Sequence, residues 1–297
     1  MNILLTGSTG LVGSALSRHL HTQGHIVYPL YRNPENDKRN YWYPEEGRIH
    51  LDNRIKLDAV IHLAGENIAD SRWNEKKKLR ILSSRVNGTR LLSQKLADLE
   101  HKPSVFISAS AIGFYGDTGE RIADEDDERG TGFLSDIATK WEAETKSAEA
   151  AGIRTVHLRT GIVLSADGGA LKKMLPAFKL GLGGILGDGG QYMSWISIDD
   201  VIHIINRMLT HDDMSGAYNL VAPNAVTNAK FTKSLGRALH RPTIFPMPAA
   251  IARLLFGEMA DPLLLSSCRV APKRLNDDRY TFIDDDLDQA LSRLLKH

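Results

Sequence analysis

The chain holds one cysteine, Cys268, among 297 residues, so no internal disulfide forms and a reducing compartment is expected. With no activating neighbour in its sequence surroundings, that thiol reads as a small buried apolar group and not as a nucleophile. Net charge is nearly absent too: 37 Lys and Arg against 36 Asp and Glu leave a formal +1, with the basic residues spread along the chain. Neither a nucleic-acid nor a membrane partner is expected from that balance. Long apolar runs are missing, none nearing the ~18–20 residues that a bilayer span requires. The first residues read as a strand and lack the regions of a secretion signal, so a cytoplasmic location is expected. His62 has no second histidine at metal spacing, and the acidic run Asp124 to Glu128 has no His or Cys beside it. No metal is expected. The missing Gly-x-Ser-x-Gly elbow sets Ser/His/Asp hydrolysis aside.

What is present begins at the second residue. The apolar strand Asn2-Ile3-Leu4-Leu5-Thr6 runs into Gly7-Ser8-Thr9-Gly10-Leu11-Val12-Gly13, with glycine at the first, fourth and seventh places of the turn. Gly7 permits a tight reversal, Gly10 lets the backbone approach a pyrophosphate, and Gly13 lets the next helix pack against the sheet. That helix, Leu11 to about His21, aims its first N–H groups at the phosphates. Thr6, Gly7, Gly10, Leu11, Val12 and Gly13 are the expected dinucleotide contacts. At the tip of the second strand, where an NAD-specific fold carries Asp or Glu, stands Arg32, nineteen residues beyond Gly13. A guanidinium there can take a 2′-phosphate through paired hydrogen bonds, which predicts NADP over NAD. The plainer reading of Arg32 is a solvated cation at a strand end.

Short apolar runs (Ile3 to Leu5, Ile26 to Tyr31, Ala59 to Leu63, Val105 to Ser108, Thr155 to Arg159) alternate with helical patterns. The fold class expected is α/β, a doubly wound parallel sheet of the Rossmann type. Pro29 should end its strand early or be absorbed in a bulge. Trp73 to Leu99 reads as one long helix, with Gly88 a place for a bend. Six glycines in the ten residues Gly181 to Gly190 mark a loop over a site. Short helices at Asn228 to Leu239, Ala249 to Phe256 and Asp284 to Leu295 follow. The expected division is a dinucleotide-binding domain over 1–225, with a substrate loop at about 165–195, and a small, mainly helical, substrate-side module over 226–297.

Further segments resemble the extended short-chain dehydrogenase/reductases, a group that includes nucleotide-sugar epimerases. His62-Leu63-Ala64-Gly65 is similar to the family's strand-four turn, and Val86-Asn87-Gly88-Thr89-Arg90-Leu91-Leu92 to its central-helix signature. Trp195-Ile196-Ser197-Ile198-Asp199-Asp200-Val201 looks like the element that follows its substrate loop. Longer segments at 63–73, 108–116, 174–184 and 269–275 resemble bacterial epimerase-family proteins of the YfcH type, which carry a small C-terminal domain of unknown function. The resemblance implies that Leu63, Ala64, Gly65 and Ser108 lie along the cofactor. It also implies three catalytic groups: a tyrosinate that moves a hydroxyl proton, a lysine four residues later that lowers the tyrosine pKa and holds the ribose, and a serine that orients the substrate oxygen. Ser110 fits the serine and Lys140 the lysine, but four residues before Lys140 stands Asp136, and no tyrosine in the chain has a lysine four places on. Tyr115, five residues past Ser110, is either the substitute proton carrier or a residue packed over the cofactor edge.

Glu66 is either a substrate contact or base beside the nicotinamide, or a carboxylate favoured by a helix dipole. Tyr192 and Trp195 flank the glycine-rich loop, either stacking on a ligand or packing in a core or hinge. His62 reads as a satisfied core histidine. Three functions follow: an NADP-dependent epimerase, with a nucleotide sugar among its candidate substrates, a plain reductase of a small carbonyl compound, and an NADP-binding sensor without hydride transfer. Oligomeric state is not legible.

Overall fold

Both faces of the opening strand are apolar, which suits a sheet covered by helices on both sides. The computed structural model describes residues 1–32 and 40–296. Its elements run β1 (Asn2–Thr6), α1 (Leu11–Thr22), β2 (Ile26–Arg32), β3 (Tyr41–Tyr43), β4 (Arg48–His50), β5 (Ala59–His62), α2 (Glu75–Ala97), β6 (Val105–Ala111), α3 (Phe133–Ala143), α4 (Lys146–Ala150) and β7 (Arg154–Thr160). There follow β8 (Ile162–Leu164), α5 (Gly169–Lys179), β9 (Tyr192–Met193), β10 (Trp195–Ser197), α6 (Ile198–Thr210), β11 (Gly216–Leu220), β12 (Val226–Thr227), α7 (Asn228–Ala238), α8 (Ala249–Phe256), α9 (Lys273–Asp277) and α10 (Leu287–Leu294).

Eight strands form one sheet in the order β11-β7-β6-β5-β1-β2-β3-β4, with only the β3–β4 pair antiparallel. The order reverses between β1 and β5, so a crevice opens there at the strand C-termini, where such folds place ligands. Ile3, Leu5, Ile61 and Ile107 pack on one face against Leu16 and Leu20 of α1 and Ile204 and Met208 of α6. Leu4, Val60 and Phe106 pack on the other against Trp42 and the α2 residues Leu92 and Leu96.

Two expectations are corrected by this packing. Pro29 neither ends nor bulges β2: it sits in register opposite Leu5, while β3 joins β2 only at Tyr31 and Arg32. The missing N–H thus falls on an unpaired stretch of the strand edge. Gly88 serves contact and not bending, since α2 continues through it and a Cβ there would come 3.2 Å from the Trp42 ring.

Residues beyond β12 share a core with what precedes them. Phe231, Leu235, Leu287 and Leu291 pack against Leu171, Leu175, Phe178 and Trp195. The buried Asp200 of α6 ties the tail down, accepting from Tyr280 Oη (2.9 Å) and from the N–H groups of Ile283 (2.8 Å) and Asp284 (3.0 Å). Among the described residues no helix is long and apolar enough to cross a membrane, and no cluster of three or more His, Cys, Asp or Glu suits a metal.

Candidate functional site

The glycine turn is built by close approach. Gly7 has φ +69°, and a Cβ on it would stand 2.8 Å from the carbonyl of Leu63. A Cβ on Gly13 would stand 2.1 Å from the Gly7 oxygen, so both positions demand glycine. Gly10 is different: its Cβ would meet only the Gly7 oxygen, at 3.3 Å, and otherwise fill open space. That open space is the cradle. Gly10 caps α1 without a side-chain hydrogen bond and the first turn carries no acid, so the N–H groups at Leu11 and Val12 are left for an anion.

Thr6 was expected to touch the cofactor, but it is fully buried and occupied with the fold. Its Oγ1 accepts the N–H groups of Leu63 and Ala64, each at 3.1 Å, and lies 2.7 Å from His62 Nδ1. It locks the β5 turn beside the glycine turn. His62 also meets Thr89 Oγ1 at 3.0 Å, and burial, with Arg85 nearby, pushes its pKa down to about 3. Ser108 is likewise fully buried beneath the crevice, which corrects the expectation of a cofactor contact, whereas Gly65 is exposed at its edge.

Two arginines stand near the β2 and β5 ends. Arg32, at the end of β2, is exposed and makes no ion pair with a described residue. Arg85 of α2 donates its Nη1 to the carbonyls of Glu66 and Ile81 at 3.1 Å, lies 4.9 Å over the Trp141 ring, and sits 3.4 Å from where a Gly65 Cβ would be. No described carboxylate forms a salt bridge with it. Burial pulls its pKa down to about 10, against the opposing pull of the Glu66 charge. Glu66 itself is taken: its carboxylate meets Lys77 Nζ at 2.8 Å and Arg80 Nε at 3.2 Å, and the Lys77 hydrogen bond chiefly holds its pKa low.

The expected proton-transfer groups are not brought together. Ser110 Oγ donates to Glu142 Oε1 at 2.6 Å, and both Glu142 oxygens accept from Arg159 at 2.9 Å. Burial alone would raise the Glu142 pKa, but the Arg159 hydrogen bonds and charge outweigh it and the carboxylate stays ionised. Tyr115 is 1 % exposed; its hydroxyl donates to Asn219 Oδ1 at 2.8 Å and accepts from Arg159 Nη1 at 3.0 Å. Burial pushes its pKa up to about 12. Tyr115 thus sits in a buried cluster with Ile112, Ala123, Val221 and Val270, its hydroxyl held on both sides.

Lys140 is also corrected, because helical phase decides it. Glu142 fixes which side of α3 faces Ser110, and on that side, four and eight residues earlier, stand Ala138 and Leu134. Leu134 Cβ lies 3.1 Å from the position of a Gly113 Cβ, on the turn after Ser110. Lys140 and Asp136 point to solvent, Asp136 pairing with Arg129. Trp195, read as either a ligand contact or a core or hinge residue, is fully buried in the core with its indole N–H on the Asn224 carbonyl at 3.1 Å. Tyr192 is half-buried, its ring 4.3 Å below the Arg269 guanidinium. Arg85, Glu142, Arg159, Leu134 and Ala138 were missed from the sequence. Arg159 offered a signal, since a charged residue closing a buried strand needs an anion nearby.

The parallel sheet, the glycine cradle at its switch point and the β5 turn define a Rossmann-type protein of the extended short-chain dehydrogenase/reductase class. The chain belongs to the NAD dependent epimerase/dehydratase family, whose model matches residues 3–220, and residues 247–294 match a domain of unknown function, DUF1731. It is 41% identical over 290 residues to an epimerase family protein of Mycobacterium bovis, covering 97% of this chain and 96% of that one. It is 38% identical over 300 residues to the epimerase family protein YfhF of Bacillus subtilis, covering 99% and 98%. The crystal structure of human epimerase family protein SDR39U1 with NADPH superposes with a TM-score of 0.88 at 33% identity, covering 99% of each chain.

Proposed function

We propose that this chain binds NADP(H) in preference to NAD(H) and acts as a nucleotide-responsive binding protein, without the tyrosine-assisted hydrogen transfer of the wider family. The observation that carries this is the apolar pair Leu134 and Ala138 on the side of α3 that faces Ser110. The cofactor fits the residues present: the open cradle at Gly10, Arg32, which makes no ion pair with a described residue, and Arg85 beside Gly65. Human SDR39U1, similar along its whole length, was crystallised with NADPH. Once bound, a nicotinamide nucleotide supplies a hydride donor or acceptor; moving the accompanying proton falls to side chains. Burial pushes the Tyr115 pKa up to about 12 and its hydroxyl is bonded on both sides, which makes it a poor proton carrier at neutral pH, and Leu134 and Ala138 have no proton to give.

Titration of the purified protein with NADPH and NADH, and incubation of 4-deuterated NADPH with UDP-glucose and small carbonyl compounds, test this reading. Tighter binding of NADPH with full retention of deuterium is expected. Arg32→Ala should weaken NADPH roughly ten- to hundredfold, as the loss of a charge-assisted pair implies, and leave NADH unchanged. Stereospecific loss of the label would overturn the binding-protein reading. The Ser110–Glu142 contact at 2.6 Å supports a second reading, an NADP-dependent epimerase or reductase of a small carbonyl or hydroxyl compound that passes a proton through Ser110 Oγ to Glu142. Label loss abolished by Glu142→Gln would select it.

A further inference from the structure

A groove of about 610 Å³ runs along the outer side of the glycine-turn helix. It begins at Gly10 and Leu11 of the cradle, follows α1 down to Arg18 and His19, and is walled on the other side by Ile202 and His203 of α6. At the lower end stands an orphan. His19 Nε2 is shut off from solvent with no hydrogen-bond partner among the described residues, and the His19 ring lies 5.0 Å from the His203 ring, tilted by 45°. A buried polar atom without a partner is rare enough to need a reason. A neutral imidazole tolerates the position, because its bare nitrogen is then only an unused acceptor. An imidazolium does not: both ring nitrogens carry N–H, and the one at Nε2 would have neither acceptor nor water.

The charges around the pair do not offset a proton. On α1 the neighbour is Arg18. From α6, Asp199, one turn before His203, is held by Arg293 Nη1 at 2.6 Å, and Arg207, one turn after it, donates to the Asp278 carbonyl at 3.1 Å. Asp167 is exposed at the opposite end of the groove, where its neighbour Gly168 meets Leu11. From the turn before β2 comes His25, its Nδ1 3.3 Å from the Met1 amino group. The strands beneath α1 contribute only Ile3, Leu5 and Val27 to the core there. Burial first, then the charges of His203 and His25, hold the His19 pKa below that of a free histidine, and no carboxylate counters them.

We propose that the α1–α6 seam is a proton-operated latch: His19 takes up a proton only when its ring leaves the seam, so acidification opens the groove and slackens the helix whose first turn forms the cradle. The closed seam is fully favoured above the ordinary histidine value near ~6.5. Closure weakens as pH falls from there toward the depressed folded value, by at most about tenfold per pH unit for one proton.

Amide hydrogen exchange of the full-length protein without nucleotide, at about pH 7.5 and about pH 5.5 and corrected for intrinsic rates, tests the latch. Faster exchange over 11–22 and 198–210 in acid, absent from His19→Leu, is the result expected. His19→Asn carries the same test where the leucine variant does not fold. Exchange in these helices that is equal at both pH values, that rises evenly along the whole chain, or that rises unchanged in the variant overturns the proposal. A second arm rests on the reading that NADP(H) binds. NADPH affinity should fall in acid by up to about tenfold more in the wild type than in His19→Leu, the titration of the 2′-phosphate being common to both. An equal fall in the two proteins overturns the link from seam to cradle. Where no nucleotide binds, the exchange result still decides the latch, so its failure and that of the cofactor reading are told apart.

Discussion

Arg159→Met isolates the contact on which the reading of the site turns. The wild-type guanidinium is 8% exposed, gives Glu142 two hydrogen bonds at 2.9 Å, supports Tyr115 Oη at 3.0 Å and lies 3.5 Å over the Phe114 ring. Methionine keeps part of the packing but leaves the Glu142 carboxylate buried with Ser110 as its remaining strong partner. Breaking a buried pair from one side costs ~3–5 kcal/mol, a large share of the ~5–15 kcal/mol that keeps a protein folded. At ~2–4 °C per kcal/mol for a chain of this order of size, the unfolding temperature should fall by ~6–20 °C. The pH dependence carries a sign. Glu142 has a depressed pKa in the folded wild type, so its contribution is present above the unfolded carboxylate value near ~4.3 and is lost as pH falls through the folded value. Without Arg159 the buried carboxyl is pushed upward instead and takes a proton at higher pH. The stability gap between the two proteins should be widest near neutrality and narrow in acid. Thermal unfolding from about pH 7 down to about pH 4 measures it. A fall under ~2 °C at neutral pH, or a gap that widens in acid, refutes the ion-pair account.

Gly13→Ala should abolish NADPH retention, because its Cβ would stand 2.1 Å from the Gly7 oxygen; soluble variant that binds NADPH like the wild type contradicts the cradle geometry. Leu134→Tyr combined with Ala138→Lys should install the missing pair and produce label loss from 4-deuterated NADPH with a carbonyl acceptor, whereas Lys140→Ala in the wild type should change neither binding nor exchange. Asp200→Asn removes the charge that holds Tyr280, Ile283 and Asp284, and should cost ~3–5 kcal/mol, with faster amide exchange at residues 280–294 as the direct reading. Uniform loosening over the whole chain would contradict a local tether.

The sequence discloses what short-range sterics dictate and hides what long-range partners decide. Gly7 and Gly13 are legible because each must avoid a backbone atom of the turn or of the strand beside it, and their spacing records that. Alternating apolar runs disclose the parallel sheet for the same reason, since strands buried on both faces have no polar side to show. Lys140 misleads because the phase of α3 is not set within the helix. It is set by Arg159, seventeen residues beyond Glu142 on β7, which draws Glu142 inward and turns Lys140 to solvent. Trp195 reads either way from the sequence, as a ligand contact or a core residue beside the glycine-rich loop, and its ring closes the core shared by α5, α7 and α10. The two cases share a cause, which is that proximity in sequence to a functional-looking segment does not fix the direction of a side chain. One partner does fix it. Once Arg159 is recognised as a buried cation, the apolar phase of Ile137, Ala138 and Trp141 leaves Glu142 as the carboxylate that can reach it, and Leu134 and Ala138 follow as the residues before Ser110. In this chain that ion pair and the buried Ile137, Ala138 and Trp141 together set which side of α3 meets the sheet.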